Sequence, residues 1–193
     1  MTRGRARRRR RAAAALLLAL AACAAAPHYG PRTTVLPDGG VSLPARFARG
    51  VCLLAVDLPG LRQPQTMLLD TGTDRTLFDL AAVHAMGLRS EGDEPVLTAT
   101  GATVAGVRLQ PLPWLRAGDV RFEQIDAVGL DLSALREHGG LPIVGIAGCD
   151  LFRQCLLEID YPRRIARVLP LADAPMSGGH AFAERSPWVT LEL

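Results

Sequence analysis

The sequence predicts an all-β fold, a closed β-barrel with one or two short helices. Short apolar stretches recur at close intervals along residues 47–170, as strands do in small barrels. Glycine and proline, which mark turns, separate these stretches. A chain of 193 residues allows one ordinary domain and little besides.

Residues 1–22 have the organisation of a signal peptide. Arginines at residues 3–11 precede an apolar stretch that is shorter than a membrane-spanning helix requires. The stretch ends in residues 20–23 (LAAC), which resemble a bacterial lipobox. That resemblance implies cleavage before Cys23 and lipid attachment to its thiol. The alternative is a plain secretory signal cleaved near Ala26, with Cys23 discarded.

A lipobox implies a lipoprotein of the bacterial cell envelope that faces the periplasm. Ala24, rather than Asp, follows Cys23, which favours the outer membrane in Gram-negative lipoproteins. Seven of the 22 basic residues and none of the 19 acidic residues lie in residues 1–22, so the remaining chain carries a net charge of about −4. Nucleic acid is therefore not an expected partner.

Three further segments are predicted after the signal peptide. Residues 23–45 are rich in Pro and Gly and indicate a lipid-anchored linker. Residues 46–170 form the predicted domain. Residues 171–193 combine a Pro/Gly-rich link with an alternating apolar end. That end is either a strand that pairs across a dimer or the start of a truncated second lobe.

The first half of the domain begins with two predicted strands. Residues 51–58 form a nearly continuous apolar run before a Pro-Gly pair, and residues 66–69 form a second apolar run. Asp79 is expected to cap a short helix at residues 80–86, and Gly87 is expected to end it.

The second half of the domain is richer in hairpins. The sequence predicts a hairpin with small residues at residues 98–104, a strand at 120–128, a helical turn at 132–136, a loop at 138–140, and a final hairpin formed by 156–160 and 165–169.

The most specific motif is residues 66–78 (TMLLDTGTDRTLF), which place Asp70 in a tight Thr-Gly turn after an apolar strand. This stretch closely resembles the active-site loop of retropepsin-like aspartic proteases. Residues 145–152 (GIAGCDLF) resemble the second apolar-Gly element of that family, and residues 156–162 resemble the strand after it. A lone Asp-Thr-Gly is most often only a turn, but two motifs in this order are fairly specific.

The resemblance implies a role for each motif residue. The catalytic group comprises Asp70, Thr71 and Gly72; the substrate-binding group comprises Thr73, Asp74, Thr100 and Gly101; and the supporting group comprises Thr76, Ile146, Ala147 and Gly148. The hairpin around Gly101 is the candidate flap. Asp150 belongs to the second motif and is expected to bond a local backbone turn rather than to act as a second catalytic acid.

The resemblance also implies an aspartic endopeptidase that acts on polypeptides as a homodimer. This chemistry uses two carboxylates that share a proton, and the chain holds one Asp-Thr-Gly loop. The alternative is a lipid-anchored binding or scaffold module that keeps the fold without proteolysis. Phosphoryl transfer is rejected, because the Lys of the Asp-Lys-Thr-Gly-Thr motif is missing.

No cofactor and no metal are expected. The four cysteines have no spacing that resembles a zinc site. Cys52 and Cys155 lie in apolar runs and are predicted to be small core residues. With Cys23 lipidated, at most one intramolecular disulfide can form among the remaining three, which include Cys149.

Overall fold

A computed structural model describes residues 29–98 and 101–173 of the chain. Strands dominate these residues: β1 (Gly30–Val35), β2 (Val41–Ser42), β3 (Ala45–Ala48), β4 (Val51–Val56), β5 (Gln65–Leu69), β6 (Leu77–Asp79), β7 (Ser90–Asp93), β8 (Val96–Leu97), β9 (Thr103–Val104), β10 (Val107–Leu109), β11 (Leu112–Ala117), β12 (Val120–Asp126), β13 (Val128–Leu130), β14 (Gly145–Ala147), β15 (Cys155–Asp160) and β16 (Ile165–Pro170). The helices are α1 (Leu80–Ala85), α2 (Ser133–Gly139) and the 3-10 turns Cys149–Phe152 and Leu171–Asp173. The predicted all-β fold is confirmed.

The largest sheet has the strand order β3-β4-β5-β14-β6-β13-β10-β7. Two three-stranded sheets, β1-β12-β11 and β15-β16-β2, and the β8-β9 hairpin accompany it. Within the largest sheet β14 runs parallel to β5, with Ala147 opposite Leu69. The two sequence motifs therefore leave the sheet at the same edge, because parallel neighbours end on the same side.

The main apolar core is built from side chains that point inward from several sheets. In β11 and β12, Leu115, Phe122 and Ile125 are fully buried, whereas Arg116 and Arg121 between them are exposed. Burial of one such apolar side chain stabilises the fold by about 1.5–3 kcal/mol. Phe122 also meets Phe152 edge to face, with ring centroids 5.6 Å apart, which packs the 3-10 turn of the second motif onto this core.

A second, smaller apolar cluster includes members of both motifs. Its buried residues are Leu53, Leu77, Val128, Leu132, Ile143 and Ile146. Tyr29 and Val96 pack against it and are partly buried. The segment that enters the domain and the start of the β8-β9 hairpin therefore rest on the same cluster.

The assignment of residues 30–45 to a linker is wrong. Strand β1 pairs antiparallel with β12, and β2 pairs with β16. Gly30 has a φ of +96°, and a Cβ there would collide with the backbone carbonyl of Asp150. A composition rich in Pro and Gly here reflects turns and close backbone approaches rather than a flexible tether.

Helices α1 and α2 meet through one buried carboxylate. Asp79 caps α1 as predicted and accepts a hydrogen bond from the N–H of Ala81 at 3.0 Å. The same side chain accepts the N–H of Leu132 at 3.0 Å and pairs with Arg136 of α2 at 2.5 Å. Burial alone would raise the pKa of Asp79, but hydrogen bonds from Arg136, Leu132 and Ala81 hold it below its ordinary value.

The predicted loop at residues 138–140 is wrong in its first part. Helix α2 extends through Gly139, and Gly140, with a φ of +59°, ends it in the left-handed conformation. The predicted final hairpin is confirmed by β15 and β16, which pair along their whole length.

Two predicted segments lie outside the described residues. They are residues 1–28, which hold the signal peptide and Cys23, and residues 174–193, which hold the predicted terminal strand. Within residues 29–98 and 101–173, the structure has no helix with the length and apolar character needed to cross a membrane.

Candidate active site

Asp70 lies immediately after β5, at the edge of the sheet, and is partly exposed. Its backbone N–H donates to the carbonyl of Ala147 at 3.1 Å, which extends the β5-β14 pairing by one residue. One carboxylate oxygen, Oδ1, accepts the N–H of Gly72 at 2.9 Å. The loop thus fixes the carboxylate while leaving part of it open to solvent.

Gly72 has little space for a side chain beside that carboxylate. A Cβ at this position would lie 3.1 Å from Asp70 Oδ1. This is tighter than ordinary van der Waals contact, so a larger residue would push the oxygen away from the N–H that holds it. The absence of a side chain at Gly72 thus lets its backbone N–H hold the Asp70 carboxylate.

Backbone and side-chain hydrogen bonds of Thr73 stabilise the part of the loop that follows Gly72. The Thr73 N–H donates to the Asp70 carbonyl at 3.3 Å, and the Thr73 carbonyl accepts the N–H of Cys149 at 2.9 Å. The Thr73 hydroxyl donates to the Arg75 carbonyl at 3.4 Å. The described contact of this hydroxyl is thus to the loop backbone rather than to the Asp70 carboxylate. Asp74 is exposed, and Thr71 is partly exposed.

The second motif lies directly behind this loop. Ile146 and Ala147 of β14 stand opposite Leu68 and Leu69 of β5 and are buried. At Gly148 an added Cβ would collide with the Arg75 carbonyl and would lie 2.8 Å from Asp150 Oδ1. Gly148 therefore permits the second motif to pass close behind the Asp70 loop.

A side-chain hydrogen bond joins the two motifs. The hydroxyl of Thr76 donates to Asp150 Oδ1 at 2.8 Å, and both side chains are fully buried. The other oxygen, Asp150 Oδ2, is buried and has no hydrogen-bond partner among the residues that the structure describes. Burial raises the pKa of Asp150 to about 6, and the contacts with Thr76 oppose this rise. Asp150 thus ties the motifs together over a long sequence distance, beyond the local turn contact that the sequence predicts.

The candidate flap is a hairpin, as predicted. Strands β8 and β9 pair, and the Thr98 N–H donates to the Ala102 carbonyl at 2.8 Å. Gly101 has a φ of +81°, and its N–H donates to the Thr98 carbonyl at 2.9 Å. Leu97 is 72% exposed. The predicted substrate-binding residue Thr100 lies outside the described residues.

Sequence reasoning missed a cluster beside the loop, formed by Tyr29, Arg75 and Glu94. Glu94 Oε1 accepts the Tyr29 hydroxyl at 2.6 Å and lies 2.7 Å from Arg75 Nη1. Arg75 was visible as the only basic residue inside the Asp70 motif. Tyr29 and Glu94 offered no signal, because neither lies near that motif in the sequence.

The described cysteines are free thiols. Cys52 and Cys155 are buried, as predicted, and Cys149 is partly exposed. Burial raises the pKa of Cys52 to about 11 and that of Cys155 to about 12, so both stay protonated at neutral pH. Among residues 29–98 and 101–173, no group of three or more His, Cys, Asp or Glu side chains could hold a metal ion.

Comparison with known proteins gives this arrangement a family. A solved structure of a retropepsin-like aspartic protease from Rickettsia conorii is similar to the chain, with 15% sequence identity, coverage of 70% of this chain and 92% of that one, and a TM-score of 0.44. Among curated proteins, no sequence matches significantly. A sequence model described as aspartyl protease matches residues 55–151, about half of the chain, from the end of β4 through the Asp70 motif and all but the last residue of the second motif. The chain therefore belongs to the aspartyl protease family.

Proposed function

We propose that the chain is an aspartic endopeptidase whose active site forms between two copies of itself. One observation carries this proposal: the Asp-Thr-Gly loop holds one oxygen of Asp70 through the Gly72 N–H and leaves the carboxylate partly exposed at the sheet edge. A positioned, accessible carboxylate is what water activation needs.

A second carboxylate must come from elsewhere. Asp150 is fully buried behind the loop, and its Oδ1 is bound to Thr76. It has no access to a peptide substrate. The sequence contains one Asp-Thr-Gly loop, and a two-fold axis is the simplest way to bring two such loops together.

In the proposed dimer the two Asp70 carboxyls share one proton, because two close carboxylates do not both ionise readily. The ionised Asp70 removes a proton from water as the water oxygen attacks the peptide carbonyl carbon. Asp70 of the second copy gives its proton to the carbonyl oxygen. As the C–N bond of this tetrahedral intermediate breaks, the amine nitrogen takes the proton from the first Asp70, and one hydroxyl of the intermediate gives its proton to the second Asp70, which restores the single shared proton.

The remaining motif residues have supporting roles in this proposal. Thr71 is expected to bond across the dimer interface. Thr73 and Asp74 are expected to contact the substrate main chain, and the hairpin that carries Gly101 closes over it and excludes water. Residues 182–193, outside the described part, are proposed to contribute a strand to the interface.

The test is cleavage of a peptide library by the mature chain and by its Asp70→Asn variant. The amide is nearly the same size but cannot act as a general base, so cleavage should be lost while the melting temperature is kept. Asp119→Asn, in an exposed turn, is the matched control and should cleave like wild type. Full activity in a folded Asp70→Asn protein would contradict the proposal, and wild type without any activity would favour the scaffold alternative.

Dimer formation is tested separately by dilution. The sedimentation coefficient and the specific activity should fall together as the protein is diluted, since each site needs two chains. Constant specific activity in a strictly monomeric protein would contradict the shared site. Removal of residues 182–193 should clearly weaken dimer association, and its effect on the stability of the monomer, followed by the melting temperature, should be smaller.

We also propose that Cys23 is the lipidated N-terminus of a cell-envelope lipoprotein, because the lipobox-like residues 20–23 end the apolar stretch. Mass spectrometry of membrane-extracted protein should find a diacylglyceryl-modified chain that begins at Cys23. A soluble species that begins after Ala26 would contradict this proposal.

A further inference from the structure

Three side chains from distant parts of the sequence meet beside the Asp70 loop. The hydroxyl of Tyr29 and the guanidinium of Arg75 both bind the same carboxylate oxygen, Glu94 Oε1, at 2.6 Å and 2.7 Å. The Arg75 guanidinium also lies over the Tyr29 ring, 4.2 Å from its centroid. Each member of this Tyr29–Arg75–Glu94 cluster therefore contacts the other two.

The cluster is sheltered, which distinguishes it from ordinary surface ion pairs. The Arg75 and Glu94 side chains are 22% and 16% exposed. The Tyr29 hydrogen bond and the Arg75 charge lower the pKa of Glu94, and burial together with the Glu94 contact raises the pKa of Tyr29 to about 12. At neutral pH the carboxylate is ionised and the phenol keeps its proton, so both hydrogen bonds are charge-assisted.

The cluster joins the Asp70 loop to the base of the β8-β9 hairpin. Arg75 belongs to the Asp70 loop, and its carbonyl accepts the Thr73 hydroxyl directly beside Gly148. Glu94 belongs to the base of the β8-β9 hairpin, where its N–H donates to the Gly106 carbonyl at 2.9 Å. Tyr29 packs on the second apolar cluster, as does Val96 at the start of the hairpin.

We propose that Tyr29, Arg75 and Glu94 are positioning residues that fix the base of the β8-β9 hairpin against the Asp70 loop. Because Tyr29 is part of the cluster, the position of the hairpin base also depends on the segment that enters the domain. The link to catalysis rests on the proposed function, in which the hairpin closes over the substrate. The contact between the hairpin base and the Asp70 loop does not depend on that function.

The first experiment measures the hold by hydrogen exchange, without any substrate. Tyr29→Phe keeps the ring over Arg75 but removes its hydroxyl, and Glu94→Gln removes the charge. In both variants, exchange at the hydrogen-bonded hairpin amides of Thr98 and Gly101 should be at least about tenfold faster. Exchange in β4 and β5 should be unchanged.

Glu158→Gln is the matched control, because Glu158 pairs with Arg167 at 2.8 Å in the β15-β16 hairpin. It should leave exchange at Thr98 and Gly101 at the wild-type rate. Unchanged hairpin exchange in both Tyr29→Phe and Glu94→Gln would overturn the proposal. An increase spread evenly over β4 and β5 would also overturn it, because that result would mark a general loss of stability.

The second experiment measures peptide cleavage by the same variants. A loosened hairpin closes less readily over substrate, so KM should rise several-fold while kcat changes less than about twofold. Equal losses in kcat and kcat/KM would contradict a positioning role. The wild type could cleave no peptide while hydrogen exchange in the hairpin responds as expected. In that case the proposed function fails, but the proposal that the cluster fixes the hairpin base remains supported.

Discussion

Asp70 and Asp150 follow two neighbouring parallel strands, β5 and β14, that end at the same edge of the sheet. Asp70 stays partly exposed and receives the N–H of Gly72. Asp150 turns into the protein, is fully buried and receives the hydroxyl of Thr76. The same residue type at nearly the same place thus has two different environments, and the local backbone decides which.

The difference begins with glycine placement. After β5 the aspartate comes first and its glycine follows at Gly72, so the turn exposes the carboxylate. After β14 the glycine comes first, at Gly148, and lets the chain pass under the Arg75 carbonyl before Asp150 is reached. A 3-10 turn then carries Asp150 inward, with the Leu151 N–H donating to the Gly148 carbonyl at 3.2 Å.

The largest expected effect separates the two carboxylates directly. Asp70→Asn should lower kcat/KM by about 10²–10⁴-fold or more, because under the proposed function it removes the general base. Asp150→Asn should keep activity within several-fold of wild type, since an amide can still accept the Thr76 hydroxyl. Parallel kinetics on both folded variants measure this contrast. Equal losses would mean that Asp150 takes part in the chemistry.

The second effect concerns Gly148. Its replacement by Ala places a Cβ against backbone atoms that cannot move aside cheaply, and should cost about 1–3 kcal/mol or more of unfolding free energy. Gly139→Ala in α2 is the matched control, since the nearest atoms to its Cβ are the Leu141 side chain at 3.8 Å. Urea unfolding of both variants tests this, and similar stabilities would show that the loops can separate.

The features that the sequence predicted from its own neighbouring residues are local ones. The Asp70 turn, the Asp79 cap and the β15-β16 hairpin are each decided by neighbours a few residues away. Short-range hydrogen bonds and turn chemistry leave a readable pattern in the sequence.

The features that were missed depend on partners far along the chain. β1 was assigned to a linker because its composition is rich in Gly and Pro, yet its pairing is supplied by β12. Tyr29 and Glu94 meet only because the fold brings them together, and no periodicity marks either one. The hydrogen bond between Thr76 and Asp150 was likewise missed, since no residue near Asp150 in the sequence indicates that Thr76 is its partner.

The third effect is the pH dependence of stability. Burial raises the pKa of Asp150 from its ordinary 3.8 to about 6, so the folded state binds a proton there more tightly than the unfolded state does. The stabilisation is full below the ordinary pKa and is lost as pH rises through about 6, a change of about 3 kcal/mol. The unfolding free energy of wild type minus that of Asp150→Asn should therefore decrease as the pH rises from 4 to 6.5. A difference that is constant over this range would contradict a neutral buried carboxyl.

The smallest expected effect compares the two threonine hydroxyls of the loop. Thr76→Val keeps the side-chain shape but leaves Asp150 without its hydroxyl donor, and should cost about 1–3 kcal/mol because a buried polar group loses its partner. Thr73→Val removes a longer 3.4 Å contact to the Arg75 carbonyl at a partly exposed site, where water can replace the hydroxyl. It should cost less than about 0.5 kcal/mol.

Thermal and urea unfolding of both variants, in wild type and in an Asp150→Ala background, complete the comparison. The Thr76→Val cost should shrink in the Asp150→Ala background, because that background no longer has the oxygen that accepts the Thr76 hydroxyl. Equal Thr76→Val costs in both backgrounds would show that the hydroxyl stabilises the loop by some other contact, and that the buried carboxyl is not what ties the two motifs together.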